Sequence, residues 1–148
     1  MPIYRHSQTG RLVLGVFGVV VVLVIGLALV LDLPLVAPLV SGLVFLALGY
    51  TFGRLTVVVE PEVVKVWFGP GWIRRTIPVS QIRAVRPVRN RWWYGWGIRR
   101  IPGGWMFNVS GLDAVELDLT TGTHFTIGTD EPEALAETIR GVLPPLQS

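Results

Sequence analysis

The chain contains no cysteine in 148 residues, which excludes disulfides and thiolate metal sites. Its two histidines, His6 and His124, lie in different regions, and neither HExxH nor any comparable metal spacing occurs. A G-x-S-x-G nucleophile turn is missing as well. Gly95, Gly97, Gly103 and Gly104 do not sit in a strand–loop–helix that would cradle phosphate, so they read as turn residues. Asp130, Glu131 and Glu133 fall at a helix start, where carboxylates offset the helix dipole. His124 is expected beside Asp118 across a hairpin, as a surface strand pair. With these groups absent or otherwise employed, the expectation is a protein that is not an enzyme, with no cofactor and no metal.

Charge is scarce too, and unevenly so. Hydrophobic residues make up 51% of the chain and charged residues 16%, an apolar balance for a soluble protein. From Leu12 to Gly53 the single charge is Asp32. The chain therefore divides into a tail (1–11), an apolar region (12–53) and a domain of ordinary composition (54–148). Leu12–Leu31 is an uncharged run of twenty residues; as a helix at about 1.5 Å per residue it would cover about 30 Å, the hydrocarbon thickness of a bilayer. Leu33–Gly53 is a second uncharged run. Two spans are expected, at about 12–31 and 34–53, joined at Asp32-Leu33-Pro34. The first run exceeds the apolar stretch of a signal peptide, and no small-residue cleavage site follows it. Arg5, Arg11 and Arg54 flank the two runs and the connection between them has no basic residue. The positive-inside rule then predicts a two-span protein of the cell (inner) membrane with both termini cytoplasmic. Gly49 and Gly53 form a GxxxG pair suited to close helix packing.

Beyond Arg54 the pattern becomes period-two. Val115, Leu117 and Leu119 alternate with Glu116, Asp118 and Thr120, Thr121-Gly122 makes a tight turn, and Phe125 and Ile127 alternate with His124 and Thr126. Leu55–Glu60, Val63–Phe68, Trp72–Ile77, Ile82–Val88 and the alternation at Trp105, Phe107 and Val109 supply five more strands. Pro87 places its strand at a sheet edge or ends it. Seven short strands predict a barrel or sandwich. Asp130 and Glu133 have capping-box spacing. Leu135, Ile139 and Val142 recur at helical spacing before Pro144-Pro145, predicting a terminal helix at about 131–143 that plugs the barrel.

Several segments carry a family likeness: Tyr94-Gly-Trp-Gly-Ile98-Arg99, Gly104-Trp-Met-Phe-Asn-Val-Ser-Gly111, Ala114-Val-Glu-Leu117 and Phe125-Thr-Ile-Gly-Thr-Asp-Glu-Pro-Glu133. With the two spans, the strands and the last helix, the chain resembles bacterial membrane proteins that carry a pleckstrin-homology (PH)-like domain. That resemblance implies an α+β membrane protein: a two-helix transmembrane hairpin, then a PH-like seven-stranded β-barrel or sandwich capped by a C-terminal helix. Eukaryotic PH domains that bind phosphoinositides typically carry a basic first hairpin loop; here the corresponding loop, Glu60-Pro61-Glu62, is acidic and short, which argues against inositide binding by that route.

The stretch most suited to binding is Arg89–Arg100, RNRWWYGWGIRR, with Arg89, Arg91, Arg99 and Arg100 interleaved with Trp92, Trp93, Tyr94 and Trp96. Such a stretch suits a membrane surface, where Trp and Tyr settle and Arg meets phosphate, or a protein partner. Single-stranded nucleic acid is the weakest fit. The same aromatics would equally serve as barrel core. Arg74, Arg75, Arg83 and Arg86 extend the basic set. Residues 54–105 carry ten Lys/Arg against two acids, and 106–148 carry one Arg against seven, so a head-to-tail homo-oligomer is a further option. The expectation is a non-catalytic membrane-anchored PH-like module presenting this loop to anionic lipid or a membrane partner. The alternative is a structural subunit of a homo-oligomer or larger membrane complex.

Overall fold

The computed structural model describes residues 1–144; Pro145, expected to share in stopping the last helix, lies outside the described residues. The chain opens with strand β1 (Tyr4–Thr9), where a tail was expected. Helices α1 (Arg11–Val30) and α2 (Val36–Phe52) follow as an antiparallel hairpin. Strands β2 (Arg54–Val59), β3 (Val63–Phe68) and β4 (Ile73–Pro78) complete a sheet ordered β1-β2-β3-β4. A short 3-10 turn, Val79–Gln81, leads to β5 (Ile82–Arg89). Then come β6 (Gly97–Ile101), β7 (Gly104–Asn108), β8 (Asp113–Leu119) and β9 (His124–Gly128), in a second sheet ordered β5-β8-β9-β7-β6. Helix α3 (Pro132–Val142) ends the described chain.

This architecture corrects the expected closed, seven-stranded barrel or sandwich. The described residues form nine strands in two open sheets, and no ladder joins one sheet to the other. Two physical reasons account for it. The 3-10 turn at Val79–Gln81 carries the chain out of the first sheet, so the consecutive strands β4 and β5 do not pair. The two strands that the reading did not foresee, β1 and β6, each add to the outer edge of a sheet instead of bridging them. Pro87 lies on β5, an edge strand, where its missing N–H costs no ladder bond on the open side.

A single core joins both sheets and α3: Val57, Val66 and Phe68 from one, Val115, Leu117 and Ile127 from the other, and Leu135 and Ile139 from the helix. Burial of this apolar area, at about 25 cal/mol per Å², is what holds the two open sheets to each other. Arg140 of α3 donates to the Val85 carbonyl of β5 (3.0 and 3.2 Å), fixing the helix to that edge. The expected capping box does not form: no side chain caps α3, and Asp130 turns instead to His6 of β1 at 2.6 Å.

The two-span topology is also corrected. Among the described residues one helix, α1, is long and apolar enough by length and composition to cross a membrane. Helix α2 has 17 residues, about 25 Å, because Leu33, Pro34 and Leu35 belong to the connection and contribute no helical rise. Asp32 sits there at φ 52°, the only non-glycine residue with positive φ among those described. The expected multi-pass placement with two spans falls with that finding.

Candidate functional site

The root of the hairpin is a narrow neck. Thr9 of β1 faces Arg54 of β2, and the amide of Gly10 donates to the carbonyl of Gly53 at 2.8 Å. The chain therefore leaves and rejoins the sheets at one point. A side chain on Gly10 would meet Val109 at 2.6–2.7 Å, so the absent Cβ is what lets α1 start flush against the second sheet. Along the hairpin, Gly42 faces Val21, and Gly49 and Gly53 both face Leu14, which lets the two helices lie close. Below the neck a row of rings, Phe52, Phe68, Phe107 and Phe125, runs into the core with successive centroids 5.6, 5.3 and 5.1 Å apart. The hairpin is thus welded to the body.

Beyond the neck the hairpin is bare. Only Ala28 of α1 and Pro38, Gly42 and Gly49 of α2 are buried. Val19, Val22, Leu23, Leu27, Leu39 and Leu43 all stand more than half exposed. The two helices thus leave a large apolar surface uncovered, of the kind that marks an interaction site.

The Arg89–Arg100 stretch is not one loop. Arg89 ends β5, Trp92–Tyr94 make a 3-10 turn, and Arg99 and Arg100 belong to β6. Trp92 and Trp93 are 75% and 56% exposed and pack edge-to-face, with Tyr94 edge-to-face on Trp93. The Arg91 guanidinium lies 5.1 Å from the Trp93 ring centre, a cation–π contact. Trp92, Trp93 and Trp96 all stand outside the core. Gly95 and Gly97 have φ of 69° and 91°, conformations that side chains rarely adopt. They swing Trp96 toward the hairpin, where it forms a groove of about 450 Å³ with Leu12, Val13, Val16 and Phe17 of α1. Arg99 stands in this groove and donates from Nε to the Trp96 carbonyl at 3.2 Å.

Tyr50, near the end of α2, lines a separate recess at the root with Thr9, Leu14 and Arg54. The turn at Gly69 abuts the backbone of Tyr50 and Thr51 at the end of α2, and exposed Trp72 follows that turn. Sequence reasoning passed over Tyr50, on α2, and read Trp72 only as the start of a strand. Of the extended basic set, Arg74 and Arg75 lie on β4, in the other sheet.

Part of the charge asymmetry is resolved within the chain. Arg86 of β5 bonds Glu116 of β8 and lies 3.7 Å from Asp118, and Arg89 is 3.7 Å from Asp113. The hydrogen bond from Glu116, then the charges of Glu116 and Asp118, push the Arg86 guanidinium further up from its ordinary value. His124 is 2.6 Å from Asp118 across the β8–β9 hairpin. Glu116, Asp118 and His124 bring three ligand-type atoms within 4.8 Å, the one such group among the described residues. Arg86 already occupies its carboxylates.

No known protein family matches the chain, and no curated protein matches it. The PH-like, membrane-anchored module read from the sequence is overturned by the open sheets and by the single membrane-length helix. The alternative of a subunit packed through two spans loses its basis in the same way.

Proposed function

We propose that this chain is a non-catalytic binding protein whose apolar hairpin has a lipid bilayer as its partner. The observation that carries the reading is the bare hairpin, with Trp96 beside the first turns of α1, Tyr50 near the end of α2, and Arg11 and Arg54 at its root. Aromatic and basic residues gather at the level of lipid headgroups, and apolar helices beyond them belong in hydrocarbon. The reading needs neither a second span nor a closed barrel. It needs only that α1 and α2 share one apolar phase, as two helices returning to one neck must. Non-catalytic action is supported by the way the histidines are used: His6 is tied to Asp130 and His124 to Asp118.

The test uses the full chain, expressed in cells and fractionated. The expected result is recovery with membranes, resistance to an alkaline carbonate wash, and release by detergent. Since there is no native cysteine, Val22→Cys can be compared with Thr121→Cys using a water-soluble maleimide. Val22→Cys should label only after detergent, and Thr121→Cys before it. A monodisperse chain without detergent, or equal labelling of both variants, would defeat the proposal; a detergent-free oligomer would assign the hairpin to a second copy of the chain.

A further inference from the structure

We infer that the groove between α1 and Trp96 is a binding site for a single-chain anionic amphiphile of the long-chain carboxylate class. Its walls are Leu12, Val13, Val16, Phe17 and Trp96, an apolar trough beside the first turns of α1. Its one charged lining residue is Arg99; no carboxylate lines it. Among the described residues Arg99 makes no ion pair, and only its Nε is spent, on the Trp96 carbonyl. The remaining guanidinium donors suit a carboxylate head. An apolar trough with one cation therefore complements a hydrocarbon chain with one negative end.

Size selects the class further. A volume of about 450 Å³ lies in the lower half of the roughly 300–1,000 Å³ range of small-molecule sites, which accommodates one chain more readily than a two-chain lipid. The positive φ at Gly95 and Gly97 marks a backbone shaped to bring Trp96 against α1, leaving the trough between them. The source of the amphiphile rests on the bilayer reading, since the groove lies at the hairpin root; the site itself does not.

The experiment uses the full chain in neutral maltoside micelles and a palmitate analogue bearing a photoactivatable diazirine on its chain. Cross-links are mapped by peptide mass spectrometry. The expected labelling is saturable, falls on peptides holding Val13–Phe17 and Trp96, and is competed by palmitate and not by hexadecanol. Arg99→Gln should weaken competition by about tenfold or more, as loss of charged hydrogen bonds does. Arg99→Lys should restore part of it, and Val16→Trp should fill the trough and abolish labelling. Circular dichroism and thermal melting check that the variants fold, and the Arg99 pair decides the matter if Val16→Trp does not. Labelling spread along both helices and indifferent to Arg99 would overturn the inference. So would stronger competition by a two-chain phosphatidylglycerol than by palmitate. Groove-specific labelling of a chain that proves soluble without detergent would uphold the site while overturning the bilayer reading.

Discussion

Tyr4 and Glu131 are 127 positions apart in sequence, yet the Tyr4 hydroxyl donates to the Glu131 carboxylate at 3.0 Å. With His6 and Asp130 beside them, they clasp the first strand to the start of the last helix. Partial burial, then the bond to Glu131 and the nearby carboxylate charges, hold the Tyr4 hydroxyl well above its ordinary value. A group whose folded value is raised contributes stability below its unfolded value, about 10 for Tyr, and loses it as pH rises through the folded value. The thermal midpoint should therefore fall as pH climbs above about 10. Tyr4→Phe should flatten that fall, as followed by circular dichroism across a pH series.

Gly10→Val should strike both the side chain and the carbonyl of Val109. Overpacking at a fixed backbone costs about 1–3 kcal/mol. A lowered thermal midpoint, with the membrane association of the chain retained, is the expected outcome.

Leu117 is fully buried between the sheets, whereas Leu43 on α2 is 68% exposed. Leu117→Ala should cost about 2–5 kcal/mol of folding stability, including the cavity it leaves. Leu43→Ala should leave the midpoint of the β-sheet signal nearly unchanged. Urea or thermal titration of the two variants in one detergent makes the comparison.

Arg86 neutralises the carboxylates that stand beside His124. Added Zn²⁺ should leave the melting of the native chain unchanged, since a guanidinium there repels a divalent cation. In Arg86→Ala the three donor groups are released, and Zn²⁺ should raise the midpoint. An equal response in both proteins would show that Arg86 does not govern the cluster.

Some of this was readable in the chain. The alternation across Ala114–Thr120 and Thr123–Gly128, with Thr121-Gly122 between, marks β8 and β9 because period two sorts side chains to two faces. The His124–Asp118 contact follows from that register. Strand β6 was hidden inside the Trp/Arg stretch, since only Ile98 and Ile101 are apolar there and two Gly precede them. Strand β1, Tyr4–Thr9, is polar and earns its place by pairing with β2. Of the groove, Trp96 and Arg99 stood in the Trp/Arg stretch read from the sequence; the α1 wall of Leu12, Val13, Val16 and Phe17, and the division of Trp92 and Trp93 to solvent and Trp96 to the groove, were not legible there.

What the sequence determined by itself is local: an uncharged run long enough to make α1, and strands wherever alternation is strong. These depend on neighbours a few residues away. Whether nine strands close or stay open, how much of the second apolar run becomes helix, and which Trp meets α1 were decided only by tertiary structure. Each depends on distant pairings, the neck at Gly10 and Gly53 and the bond from the Thr120 amide to the Gln81 carbonyl at the 3-10 turn, whose energies belong to residues that meet only after folding.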